Sequence, residues 1–167
     1  MYRKKYKIVQ WEKVVENDRK VGGLIMLVGT YNPKPDAKSR VVFPSKFRAE
    51  LGASVVVTIG MEHSIAVYSR DEWEIYLERV KQLSNFKKDA RDFRRFILSK
   101  TYELDFDAAG RIIIPQDLKN YAGITTQITL IGVEDHVEVW DTEKWTEHET
   151  EILTDLESMA EALENNN

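Results

Sequence analysis

The sequence predicts an α+β fold made of two copies of one supersecondary unit, an internal pseudo-twofold repeat. A duplicated motif is the first reason: Asp36-Ala-Lys-Ser-Arg40-Val-Val-Phe-Pro44 returns as Asp107-Ala-Ala-Gly-Arg111-Ile-Ile-Ile-Pro115, 71 positions later. The second is that the correspondence outlasts the motif. Phe47 matches Leu118, Arg48 matches Lys119 and Gly52 matches Gly123. After one inserted residue, Gly60-Met-Glu faces Gly132-Val-Glu, Ile65 faces Val137, Val67 and Tyr68 face Val139 and Trp140, and Trp73 faces Trp145. The third is that each copy mixes β-rich runs with one short helical pattern.

Taken in order, residues 1–25 have no counterpart in the repeat, and their apolar residues are too irregular to choose between a helix and a tail. Met26 is an alternative start, because Gly22-Gly23 just upstream can be spelled by purine-rich codons resembling a ribosome-binding site. Met26 to Tyr31 reads as a strand, and Asn32-Pro-Lys-Pro-Asp36 as an extended loop. Arg40-Val-Val-Phe is β-rich. Pro44 suits the first helical position of a helix from Ser45 to Leu51, with Phe47 and Leu51 on one face and Gly52 as the stop. Val55–Ile59 and Ile65–Tyr68 are expected to pair as strands.

Ser69-Arg-Asp-Glu72 is a capping-box pattern that opens a helix to about Leu83, with Trp73, Tyr76, Leu77 and Val80 on one face. Ser84-Asn85 breaks it. Asp89 to Ser99 follows as a second helix, carrying Phe93, Phe96 and Ile97 on one side, with Arg91, Arg94 and Arg95 over the rest. Thr101–Phe106 alternates as a strand, the motif repeats, and a helix runs from Pro115 to Tyr121, ended by Gly123. Strands Gln127–Ile131 and Val137–Trp140 complete the second copy. Asp141 or Thr142 caps a last helix whose apolar residues, Trp145 to Leu163, suit either a partner surface or its own domain, and 164–167 form a frayed end. The resulting division is an N-terminal extension (1–25), a first repeat (26–73), a helical connector (74–99), a second repeat (100–145), and a C-terminal helix and tail (146–167).

Composition narrows the function classes. The length of 167 residues suits one compact domain or two small ones, and 43% hydrophobic residues is ordinary for a folded chain. With no cysteine there are no disulfides, thiolate metal sites or thiol catalysis. The net charge of −4 argues against broad non-specific nucleic-acid binding, so any such surface is a local basic patch. The apolar run from Val21 to Gly29 falls well short of the roughly 20 residues that span a bilayer. Acids upstream of it make a poor signal peptide. The expectation is a cytoplasmic protein with no membrane association.

Taken once, Asp-x-x-Gly-Arg is a turn: Asp accepts backbone hydrogen bonds and Gly supplies a positive φ. Two copies in one context change the weighing. An Asp four residues before an Arg, across a turn, can brace the guanidinium and fix its direction for a guanine edge or a phosphate. The surroundings differ. Lys34, Lys38, Arg40, Lys46 and Arg48 crowd the first copy, whereas Glu103, Asp105, Asp107 and Asp117 outnumber Arg111 and Lys119 in the second. The first copy thus has the electrostatics for phosphate contact. The second either contacts bases through Arg111 or is mainly structural.

The paired Asp-x-x-x-Arg motifs, Phe93-Arg-Arg-Phe96, Gly110-Arg-Ile-Ile-Ile-Pro115 and Val139-Trp-Asp141 together resemble the MraZ family, from about Met26 to about Glu151. The resemblance implies two SpoVT/AbrB-type domains, tandem swapped-hairpin β-barrel units with short helices. It also implies a nucleoid-associated regulator, generally a repressor, of the bacterial division and cell-wall genes. Such proteins assemble as ring-shaped homo-oligomers on direct repeats in promoter DNA. Carried onto this chain, the DNA-contacting residues are Asp36 and Arg40 with Asp107 and Arg111, and the basic residues Lys38, Lys46 and Arg48 join them as phosphate contacts. In the first copy Ser39 replaces the family's glycine and Pro35 an apolar β-former. Ser39 fits such a turn only with a negative φ or some strain.

Two other classes compete. His63, His136 and His148 have no metal-ligand spacing, Asp36 and Asp107 are each tied to an Arg, and no Gly-rich phosphate loop or nucleophile motif is present. No enzyme, cofactor or metal is expected. An oligomeric interaction module without specific DNA binding is the alternative, suited by the last helix and the aromatic helix around Phe93.

Overall fold

The computed structural model describes residues 26–165. The expectations for the leader 1–25 and for the last two asparagines lie outside the described residues. Each copy runs strand, strand, helix, strand, strand. In the first these are β1 (Leu27–Tyr31), β2 (Arg40–Val42), α1 (Ser45–Leu51), β3 (Ser54–Ile59) and β4 (Ile65–Ser69). The helices α2 (Arg70–Lys81) and α3 (Lys88–Ser99) connect them to β5 (Tyr102–Asp105), β6 (Arg111–Ile113), α4 (Gln116–Ala122), β7 (Ile128–Glu134) and β8 (His136–Asp141). A long α5 (Thr142–Asn165) closes the chain. It is a mixed α+β fold, and its strands pair antiparallel throughout.

The two copies do not fold side by side. In the six-stranded sheet the order is β1-β7-β8-β4-β3-β5, so the first strand of each copy pairs with the third strand of the other. The short strands β2 and β6 form a separate ladder, again one from each copy. In that ladder Val41 faces Ile112, and in the centre of the sheet Ala66 faces Glu138. Each is a pair of equivalent positions, so a pseudo-twofold axis passes through both.

Period-2 alternation decides what the small ladder buries. Val41 and Ile112 point inward, together with Phe43 and Ile114, and all four are nearly inaccessible. Phe47 and Leu51 from α1 and Leu118 from α4 join them in one cluster. Burying each such side chain contributes about 1.5–3 kcal/mol. Phe106 meets Phe43 edge-on at 5.4 Å, and Tyr31 meets Phe47 at 4.9 Å, so the strands flanking both motifs are held to the same core.

Several boundaries differ from expectation for local reasons. Pro44 and Pro115 precede their helices instead of opening them, because ψ of 144° and 139° is extended. Each carbonyl still accepts the first helical bond, from Arg48 N at 3.0 Å and Lys119 N at 3.1 Å. Ser69 caps α2, its Oγ accepting from Glu72 N at 3.2 Å. Asp141 caps α5, its Oδ1 accepting from Glu143 N at 3.1 Å. On α3 only Ile97 is buried, while Phe93 and Phe96 are exposed, since the helix reaches the sheet only at its C-terminal end. Arg94 is a structural residue: its Nη2 donates to the carbonyls of Val80 at 3.3 Å and Leu83 at 2.7 Å, capping α2. Glu164 is helical, so the C-terminal helix extends beyond the expected frayed boundary. Among the described residues, no helix is long and apolar enough to cross a membrane.

Candidate functional site

The two motifs lie together on one surface. In loop 36–40, Asp36 N donates to Arg40 O at 3.0 Å and Ser39 N to Asp36 O at 2.9 Å. Asp36 Oδ1 accepts from Lys38 N at 2.9 Å and Arg40 N at 3.0 Å, and Oδ2 from Arg40 Nε at 2.7 Å. Loop 107–111 repeats this bond for bond. Asp107 Oδ1 accepts from the N–H groups of Ala109 and Arg111, each at 2.9 Å, and Oδ2 from Arg111 Nε at 2.8 Å. One carboxylate thus closes the turn with one oxygen and aims the guanidinium with the other.

Ser39 reaches this geometry at a φ of 58°, close to the 73° of Gly110. The serine therefore does not alter the turn; it accepts left-handed backbone, and the Asp hydrogen bonds hold it there. The glycine answers a different need. Arg48 from α1 lies across Gly110, its Nε donating to Phe43 O at 3.1 Å. A Cβ on Gly110 would stand 2.7 Å from Arg48 Cδ and closer still to the guanidinium.

The ladder register brings the loops into contact. Arg40 pairs with Ile113 and Val42 with Arg111, so both arginines project from the outer face, diagonally across the pseudo-axis. Arg111 Nη1 lies 3.5 Å from Asp36 Oδ2, and Arg40 Nη1 lies 4.0 Å from Asp107 Oδ2. The four side chains form one quartet, each about a third exposed. Both carboxyls are held below the usual carboxylate range. The backbone N–H of Arg40 or Arg111 is the largest cause, partial burial opposes it, and the bonded guanidinium adds to it. Both acids stay ionised at neutral pH, which suits bracing and disfavours proton donation.

The other basic candidates sit around this quartet. Lys38 at the loop tip and Lys46 on α1 are exposed, and neither they nor Lys34 form an ion pair among the described residues. Arg48 is half-buried, with its Nε engaged as described. The acids counted around the second copy have partners from elsewhere in the chain. Glu103 pairs with Arg70 at 2.7 Å, Asp117 with Lys100 at 2.9 Å, and Asp105 accepts from Ser54 Oγ at 2.5 Å. Two of these acids, Glu103 and Asp117, are therefore paired with cations from outside that stretch.

Two residues outside the sequence-derived set share the face. Val42 is 43% and Ile113 55% exposed, although both are β-branched and apolar. Alternation within Arg40-Val-Val would have flagged Val42 once Arg40 was placed outward. The histidines are distributed elsewhere: His63 Nδ1 lies 3.2 Å from Tyr121 O, His136 lies against Asp135, and His148 stacks on Trp140.

The family model described as "MraZ protein, putative antitoxin-like" matches this chain twice, over residues 26–96 and 97–166. A protein of Clostridium tetani named transcriptional regulator MraZ is 42% identical over 138 residues, covering 83% of this chain and 96% of the relative. One of Caldanaerobacter subterraneus with the same name is 43% identical over 142 residues, covering 85% and 99%. A third, from Syntrophomonas wolfei, is 39% identical over 138 residues, covering 83% and 96%.

Proposed function

This chain belongs to the MraZ family, and on that premise we propose that it is a sequence-specific, double-stranded-DNA-binding transcriptional regulator. In this reading it is a cytoplasmic, nucleoid-associated repressor of the bacterial division and cell-wall genes. It binds direct repeats in their promoter as a ring-shaped homo-oligomer. The observation that carries the reading is the pair of Asp-braced arginines on the outer face of the β2–β6 ladder. A two-stranded antiparallel ribbon fits the major groove, where a braced guanidinium forms the bidentate contact to guanine O6 and N7. Asp36 and Asp107 set the direction of Arg40 and Arg111, and Lys38, Lys46 and Arg48 contact phosphates beside them. The tandem swapped-hairpin, SpoVT/AbrB-like description of the fold is supported by the exchange of β1 and β5 between copies.

Two guanine contacts per subunit contribute only about 1–3 kcal/mol each. Several subunits on regularly spaced repeats sum such terms through a raised effective concentration. Arg40→Ala and Arg111→Ala should each weaken binding to the upstream DNA of the gene by about 10- to 100-fold at fixed salt, without unfolding the protein. Unchanged affinity in both variants would reject the assignment. The alternative, an oligomeric interaction module without specific DNA binding, is favoured by α5, where Leu153, Leu156 and Met159 are exposed. Loss of oligomer mass in Leu156→Glu, with no sequence-dependent retardation of DNA by the native protein, would select it.

A further inference from the structure

The outer face of the β2–β6 ladder is a checkerboard. Its four side chains are Arg40 opposite Ile113 and Val42 opposite Arg111, so each guanidinium has an exposed β-branched residue as its direct cross-strand neighbour. A solvent-facing ladder ordinarily carries polar residues on its outer positions. Here both apolar exceptions occupy equivalent positions of the two copies, and the inward pair Val41 and Ile112 already supplies the core contact. Core packing therefore accounts for the inner residues and leaves the outer two unexplained.

We propose that Val42 and Ile113 are specificity-determining residues that read the 5-methyl groups of thymines about two base pairs from the guanines contacted by Arg40 and Arg111. This rests on the DNA-binding reading above and goes beyond it by naming the second base. The major groove presents one apolar feature, the thymine methyl, and an apolar side chain is what recognises it. Alternate residues of a strand stand about 6.8 Å apart, close to two base-pair rises of about 3.4 Å. Guanine and thymine contacts from one strand thus fall about two base pairs apart, and the pseudo-axis generates the same pair on the other strand. The Asp braces keep the guanidinium groups directed, and this leaves the two aliphatic side chains uncovered between them.

The test uses the full chain and a duplex recovered with it from a random-sequence pool, with thymines replaced singly by deoxyuridine, which removes only the methyl. Two positions should each weaken binding roughly fourfold, the value of one buried methyl. The variant Val42→Ser/Ile113→Ser, altered only at exposed sites, should bind the thymine duplex roughly tenfold more weakly and respond to neither replacement. Specific binding by the native protein that ignores every deoxyuridine would overturn this proposal and leave the arginine reading standing. Failure to recover any preferred duplex would overturn both. Undiminished deoxyuridine sensitivity in the variant, or a change in its oligomeric mass, would assign the two residues another role.

Discussion

Loops 36–40 and 107–111 make the same hydrogen bonds from different residues, and they differ in what lies on top of them. Ser39 is exposed at its left-handed position, whereas Gly110 is buried beneath Arg48. The turn is therefore specified by the aspartate, whose two oxygens collect three N–H groups in each copy. Glycine lowers the cost of the backbone conformation without being required for it. A neighbour that closes over the α-carbon adds a second demand. A side chain at position 39 points into solvent, whereas one at position 110 must displace the Arg48 side chain.

Exchanging the residues gives the sharpest break. Gly110→Ser should destabilise by about 2 kcal/mol or more, combining left-handed strain with displacement of Arg48 from its bond to Phe43, and denaturant unfolding would measure it. A cost near zero would mean that Arg48 swings away freely. Removing the braces comes next. Asp36→Asn and Asp107→Asn should destabilise equally and less than Gly110→Ser, because the two carboxylates have the same partners. The sign in pH follows from their depressed folded pKa: the stabilisation is present above the unfolded value of about 3.9 and is lost as pH falls through the folded one. The acid limb of the native protein should accordingly be steeper than that of the double Asn variant. The smallest effect belongs to Ser39→Gly. Relief of strain is largely offset by the greater freedom of glycine in the unfolded chain, so a shift of less than about 1 kcal/mol is expected in the same unfolding measurement.

Local chemistry was well recorded in the sequence. The repeat, the cap at Ser69, the helix stops at Gly52 and Gly123 and the Asp–Arg brace all depend on residues within a few positions of one another. What the residue pattern does not record is long-range. The strand exchange of β1 with β7 and of β5 with β3 leaves no periodicity to detect, because either copy could have paired with itself, and only the family resemblance implies swapped hairpins. Union of the two loops into one quartet follows from the register of β2 against β6, which places Arg111 near Asp36. The acids counted around the second copy include Glu103 and Asp117, whose partners Arg70 and Lys100 lie outside that stretch. Phe93 and Phe96 share a helical side with Ile97, yet only Ile97 reaches the sheet.

The strand exchange makes the molecule comparable to a homodimer whose two subunits have been joined end to end through α2 and α3. In a true homodimer every substitution appears twice, so a glycine favoured at one site could not be given up at its mate alone. Tethering lifts that constraint. One half can carry a serine at its turn and a lysine at its tip, while the other keeps its glycine under Arg48. The pseudo-axis supplies a symmetric frame for the arginines, and the single chain lets the rims of that frame diversify independently.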